Sequence, residues 1–209
     1  VADTVAPPVR SAHHQPLTDS YREVAMPTRE EALALLHEWV DNEGLINHMK
    51  AVEAAVRQYA REMGADEETW GLAGLLHDLD WEKYPDEHPL RAVEELRTRG
   101  YPEEVLQAIL AHRPDFTNVQ PQSQLDRVLI ACDELTGLIN ATALVRPTGI
   151  DDLTPKSVKK KMKDKAFAAG VDREDVRRGA ELLGVELDEH IAKVIAAMQG
   201  IAEELGLRK

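Results

Sequence analysis

Apolar residues recur at helical spacing from Thr28 nearly to the C-terminus. Thr28 followed by Glu31 fits a capping box, and Leu33, Leu36 and Val40 follow on one stripe. A second helix is predicted over roughly 43–63, with Leu45, Met49, Val52, Val56, Tyr59 and Met63 along one face and Gly64 as its end. A third starts near Asp66 and carries Trp70, Leu72, Leu75, Leu76 and Leu79. Shorter helices are expected from Pro89 to Gly100 and from Pro102 to just before Pro114. A long one is expected over about 124–142, with Leu125, Val128, Leu129, Cys132, Thr136 and Ile139. The last three start near Thr154-Pro155, Asp172 and Leu187. No period-two strand pattern and no internal repeat is visible, so the expected class is all-α, a helical bundle with a C-terminal helical extension.

Residues 1–27 carry Pro7, Pro8, Pro16 and Pro27 without apolar periodicity and read as a flexible leader. Met26 directly precedes a strong helix start, which makes it a candidate native first residue and the leader an expression scar or misassigned start. Residues 28–145 are expected to form the core, with 146–209 packing on it. The last helix has a wide apolar stripe (Ile191, Val194, Ile195, Met198, Ile201 and Leu205), read as packing on its own domain, with a homodimer as the alternative to a monomer.

Composition narrows the function. The 209 residues carry a formal charge of −13, and aromatic residues are 4%. That argues against a nucleic-acid binder, whether by charge or by stacking. No apolar run reaches the ~18 residues needed to cross a membrane. The single cysteine, Cys132, excludes an intramolecular disulfide framework and a Cys-based zinc site, and a cytoplasmic location is expected. Charge is uneven: residues 156–165 hold six lysines and one aspartate in an otherwise acidic chain.

Polar residues interrupt the apolar stripes. His48 is three after Leu45 and four before Val52, and Asp133 is four after Leu129 and three before Thr136. His77-Asp78 closes the third helix, and a buried carboxylate there or at Asp133 needs a partner. Chance alone gives roughly 0.6 His-Asp doublets in a chain of this composition. The geometry says more, because helix neighbours point about 100° apart and share a site only where they straddle a helix end. His88 precedes the Pro89 helix, and His112 closes the next on its buried face. The ordered set is His48, His77, Asp78, His88, His112 and Asp133. Imidazole with carboxylate suits Mn, Fe, Co, Ni or Zn. Six ligands exceed one open catalytic ion, whereas two ions bridged by a carboxylate would use them all. The alternative for the set is a satisfied buried polar network.

This order of residues resembles the HD-domain superfamily of metal-dependent phosphohydrolases, nearest to small stand-alone HDIG-type hydrolases. The matching stretches are "NHMKAVE", "LAGLLHDLDWEKYPDEHP", "AILAHRP", "ACDELTGLINATALVRP" and "SVKKKMKDKAFAAGVDREDV", spread over roughly 28–205. The resemblance implies an HD-like helical bundle. It implies that His48, His77, Asp78 and Asp133 hold a first metal, that Asp78 bridges, and that His88 and His112 hold a second. One or two divalent transition-metal ions are thus the expected cofactor. Many relatives have Gly and Lys at the second and third positions after the doublet, where Asp80 and Trp81 stand here. Lys83 or the 156–165 island is the candidate substitute for that lysine.

The expected activity is hydrolysis of a phosphomonoester or nucleotide by a metal-activated water, with Asp78 and Asp80 as catalytic candidates. Asp80 and Glu82 read equally as a solvated acidic turn. Substrate-binding candidates are Arg146, Lys161, Lys165, Arg113 and Lys83, against the ordinary reading of a charge run as a solvated face. Glu134, about 100° from the face of Asp133, is expected on the helix surface, and His37 and His190 at surface or groove positions. The alternative functions are a di-iron oxygenase on the same fold and a non-catalytic nucleotide-sensing module. An oxygenase of that kind carries an additional histidine a few residues past the doublet, whereas here the nearest is His88.

Overall fold

A computed structural model of the protein describes residues 26–209. The reading of residues 1–25 as a leader lies outside the described residues. Every regular element among the described residues is helical. In chain order these are α1 (Arg29–Trp39), α2 (Glu43–Met63), α3 (Glu67–Leu76), α4 (Leu90–Thr98) and α5 (Glu103–Ala111). There follow α6 (Pro114–Thr117), α7 (Gln124–Leu144), α8 (Pro155–Met162), α9 (Arg173–Leu183) and α10 (Leu187–Gly200).

Local chemistry sets the boundaries. Thr28 and Glu31 make the reciprocal capping box at α1. Asn42 starts α2 by accepting from the backbone of Gly44 and Leu45, and Asp66 starts α3 in the same way from Glu68. Ser123 and Asp126 form a second capping box at α7. The one-turn helix α6 is absent from the sequence reading, because four residues hold no full apolar period.

The helices α2 and α7, 21 residues each, form the frame. α2 packs on α3, α7 and α10, and α7 also packs on α5, α8 and α9. α3 crosses α2 closely enough that a Cβ on Gly74 would lie 2.8 Å from Cα of Glu53. Only glycine permits that approach. Beside it, Glu53 is buried and accepts from Arg29 at 2.6 Å and Arg57 at 2.8 Å, and Arg57 continues to Glu68. This ion-pair chain ties α1, α2 and α3 together.

Of the last helix's apolar stripe, Ile191, Val194, Ile195, Met198 and Leu205 are buried against the rest of the chain, and Ile201 is half-buried. His190 is also buried, contrary to its expected surface or groove position. It sits between Tyr59 (2.7 Å) and the carbonyl of Ala131 (2.9 Å). Its neighbours Glu186 and Asp188 are exposed, and that local polarity masks the inward face. No helix is long and apolar enough to cross a membrane among the described residues.

Candidate metal centre

Five segments converge on one cavity of about 330 Å³. His48 comes from the first turns of α2 and Asp133 from the middle of α7. α3 ends at Leu76, so His77 and Asp78 straddle its terminus and point to one place. His88 precedes Pro89, the N-cap of α4, and His112 is the C-terminal cap of α5.

Asp78 is the hinge of the arrangement. Its Oδ2 lies 3.8 Å from His48 Nε2 and 3.5 Å from His77 Nε2. Its Oδ1 lies 3.3 Å from His88 Nε2 and 3.7 Å from His112 Nε2. Asp133 Oδ1 completes the first group, 3.0 Å from His48 Nε2 and 3.5 Å from His77 Nε2. Two clusters result, one of His48, His77 and Asp133 and one of Asp78, His88 and His112. The carboxylate of Asp78 stands between them.

The outer partners fix the histidine tautomers. Nδ1 of His77 faces the carbonyl of Gly74 at 2.9 Å, Nδ1 of His112 faces that of Ile109, and Nδ1 of His88 faces Asp80 at 2.7 Å. Carbonyls and carboxylates only accept, so each Nδ1 carries a hydrogen and each Nε2 points inward as the ligating atom, offering a lone pair whenever the ring is neutral. His77 Nε2 is then buried without a hydrogen-bond partner. The Nε2 atoms of His88 and His112 face each other at 3.0 Å, lone pair to lone pair. With both rings neutral that arrangement is repulsive, and a shared proton or a metal ion between them relieves it. Ions bound at about 2.1 Å place neighbouring donors about 3.0–3.4 Å apart; His48–Asp133, His88–Asp78 and His88–His112 fall in that range, and the other pairs are wider, up to 3.8 Å. The residues fit divalent transition metals, and the imidazole–carboxylate chemistry selects that class.

Electrostatics agree. Burial works to lower the His77 imidazole, yet Asp78 and Asp133 raise it from 6.5 to about 9. Burial is the largest influence on Asp78 and Asp133 and works against their ionised forms; the charge of His77 acting together with His112 and His48 on Asp78, and with His48 on Asp133, overcomes it and holds both carboxyls below the usual range. Such a cluster of anions around buried imidazoles favours any cation placed among them.

Of the other residues expected at the site, Arg113 lines the cavity, its guanidinium 5.6 Å over the Trp81 ring. The other expected substrate ligands sit elsewhere. Arg146 is tied to Asp152, and Lys83 bonds the carbonyl of Glu38 at 3.0 Å. Lys161 rests 4.3 Å over Phe167, and Lys165 lines a separate groove beside residues 169–177. None of the island's six lysines lines the cavity, and α8 directs Val158 and Met162 into the core. Asp80 is buried and does not line the cavity. Its second oxygen accepts from Ala92 N at 2.8 Å, so it supports His88 from behind. Glu82 accepts from the backbone of Asp41 and Asn42 and pins the α1–α2 turn.

Three ionisable lining residues are not among the sequence-derived site candidates. Glu134 is half-buried in the cavity wall and not on the helix surface that its angle to Asp133 predicts. Burial, and then the charge of Asp133, push its carboxyl up to about 7. The other two are Asp175 and Arg178 of α9. No linear pattern marks these, because the packing of α9 on α7 decides which of its faces meets the cavity.

The family model described as HD domain matches residues 45–138, a span that contains all six residues of the two clusters. No curated protein and no solved structure matches the chain.

Proposed function

We propose, from the match of residues 45–138 to the HD-domain family model, that the protein is a metal-dependent hydrolase of small phosphomonoesters. The observation that carries this reading is the division of labour at Asp78, whose two oxygens each face a separate group of metal-ligating side chains. His48, His77 and Asp133 would hold one ion, His88 and His112 a second, with Asp78 shared. Ions so held supply a water acidic enough to provide hydroxide near neutral pH, and positive charge for the phosphoryl oxygens.

The chain's own residues do the rest. The Nδ1 bonds to Gly74, Asp80 and Ile109 keep three imidazoles oriented with Nε2 free. Arg113, steadied over Trp81 at the cavity wall, can take two phosphoryl oxygens with parallel hydrogen bonds.

The test is turnover of a phosphomonoester panel by protein loaded with manganese, cobalt, nickel, zinc or iron. Hydrolysis by the wild type and its loss in Asp78→Ala and Asp133→Ala are expected. Normal phosphatase activity in either variant overturns the mechanism. Tight metal binding with no turnover favours a sensing module, and oxygen consumption by an iron-loaded sample favours an oxygenase.

A further inference from the structure

We infer that Asp175 and Arg178 of α9 are a specificity-determining pair that reads hydroxyl groups on the substrate's leaving group, so that the preferred phosphomonoester is built on a sugar-like polyol. The inference rests on the phosphohydrolase reading and says what the cavity accepts beyond the phosphoryl group. Both residues lie outside the segment matched by the HD-domain model.

The pair is held in place from both sides. At its start, α9 is tied to α7 by the backbone N–H of Asp172, which donates to Glu134 at 3.1 Å. One turn beyond Asp175, a Cβ on Gly179 would lie 2.7 Å from Cα of Ala131, so the two helix backbones are in direct contact there. Between these anchors Asp175 and Arg178, three residues apart, share one helix face and pair at 3.0 Å. Both border the cavity that contains the two ligand clusters, together with Glu134.

The wall carries both signs of charge, and Asp175 and Arg178 already pair with each other. A charged leaving group of either sign therefore meets a like charge beside each opposite one. An apolar ring would strip water from charged groups and return no hydrogen bonds. A hydroxyl suits the wall, because it donates to a carboxylate and accepts from a guanidinium at the same time. Arg178 has unused N–H groups after its bond to Asp175, and both carboxylates have unused lone pairs. Several hydroxyls on one small body could therefore be read together. Sites built to hydrogen-bond a hydroxyl reject analogues that lack it.

The experiment is calorimetric binding of two probes to the full chain loaded with manganese: the phosphonate isostere of ribose 5-phosphate, and phenylphosphonate. Wild type should bind the sugar phosphonate on the order of 10-fold more tightly. Arg178→Gln and Asp175→Asn, both at partly solvated side chains, should each bring the two affinities to within about 2-fold by weakening the sugar phosphonate alone. Arg177→Gln, at an exposed residue paired with Glu174 and absent from the cavity wall, should keep the preference. Equal binding of the two probes by wild type, or a preference that survives in both cavity variants, overturns the inference. A nucleoside 5′-phosphonate bound with the same preference assigns the hydroxyls to a ribose that carries a base, and its rejection assigns them to a free sugar phosphate. Turnover is scored separately. Selective binding without turnover upholds the pair and sinks the hydrolase reading, whereas turnover without selectivity does the reverse.

Discussion

Asp80 Oδ1 accepts the Nδ1–H of His88 at 2.7 Å, and both side chains are buried. The same carboxylate holds the first turn of α4 through Ala92 N. Asp80 thereby fixes both the tautomer of His88 and the place of the segment that carries it. Partners of this kind raise the basicity of a ligating imidazole.

Asp80→Asn should lower the affinity of the ion that His88 holds by about 10- to 100-fold and leave the other ion less affected. Competition with a coloured chelator would separate the two affinities. An equal loss at both, or none at either, would remove Asp80 from this role.

Metal binding near pH 7 should release about one proton from His77, which is charged in the metal-free protein and must give up Nε2 to bind. The sign follows from its raised value of about 9, above the ordinary 6.5. Calorimetry in buffers of different ionisation enthalpy would reveal the release, and identical apparent enthalpies would contradict it. The same shift stabilises the metal-free protein fully below about pH 6.5 and is lost as the pH rises through about 9. Chelator-treated protein should therefore weaken on moderate alkalinisation.

His190 shifts the other way. Burial lowers its imidazole below 6.5, and its neutral form donates Nε2–H to Ala131 and accepts from Tyr59. Its contribution is present above the unfolded value and is lost as the pH falls toward the lower folded one. The stability advantage of wild type over His190→Gln should shrink by up to about 1.4 kcal/mol per pH unit below roughly 6.5. Urea midpoints for both proteins across that range would show it. An advantage that stays constant with pH would refute the assignment.

Glu53→Ala should cost about 3 kcal/mol of stability, because it leaves Arg57, and in part Arg29, without their buried anion. Chemical denaturation provides the measurement. A loss below about 0.5 kcal/mol would mark the pair as one more exposed bridge.

Much of the scaffold was legible from spacing alone. Helix periods and caps place α2, α3 and α7 close to their observed limits, because capping residues and apolar stripes act within a few residues. His48, His112 and Asp133 stand out for a related reason, because imidazoles and carboxylates on apolar stripes require partners; His77-Asp78 stands out at a helix end, and His88 through the order of residues that resembles the HD-domain superfamily. The substrate side was not legible. Lys161, Lys165, Arg146 and Lys83 are as basic as the expectation required, yet their helices and turns carry them away from the cavity.

The sequence by itself determined the helices, the all-α class and the identity of the six ligand candidates. The helices and the class follow from short-range periodicity, and the ligand candidates from the cost of burying a polar group together with the resemblance to the HD-domain superfamily. Tertiary structure alone decided that the two oxygens of Asp78 face two separate clusters and that Asp80 stands behind His88. It alone brought Glu134, Asp175 and Arg178 to the cavity. Those relationships depend on where helices cross, as at Gly74 against Glu53 and Gly179 against Ala131. A crossing joins positions far apart in the chain, and no local pattern encodes the rotation at which two helices meet.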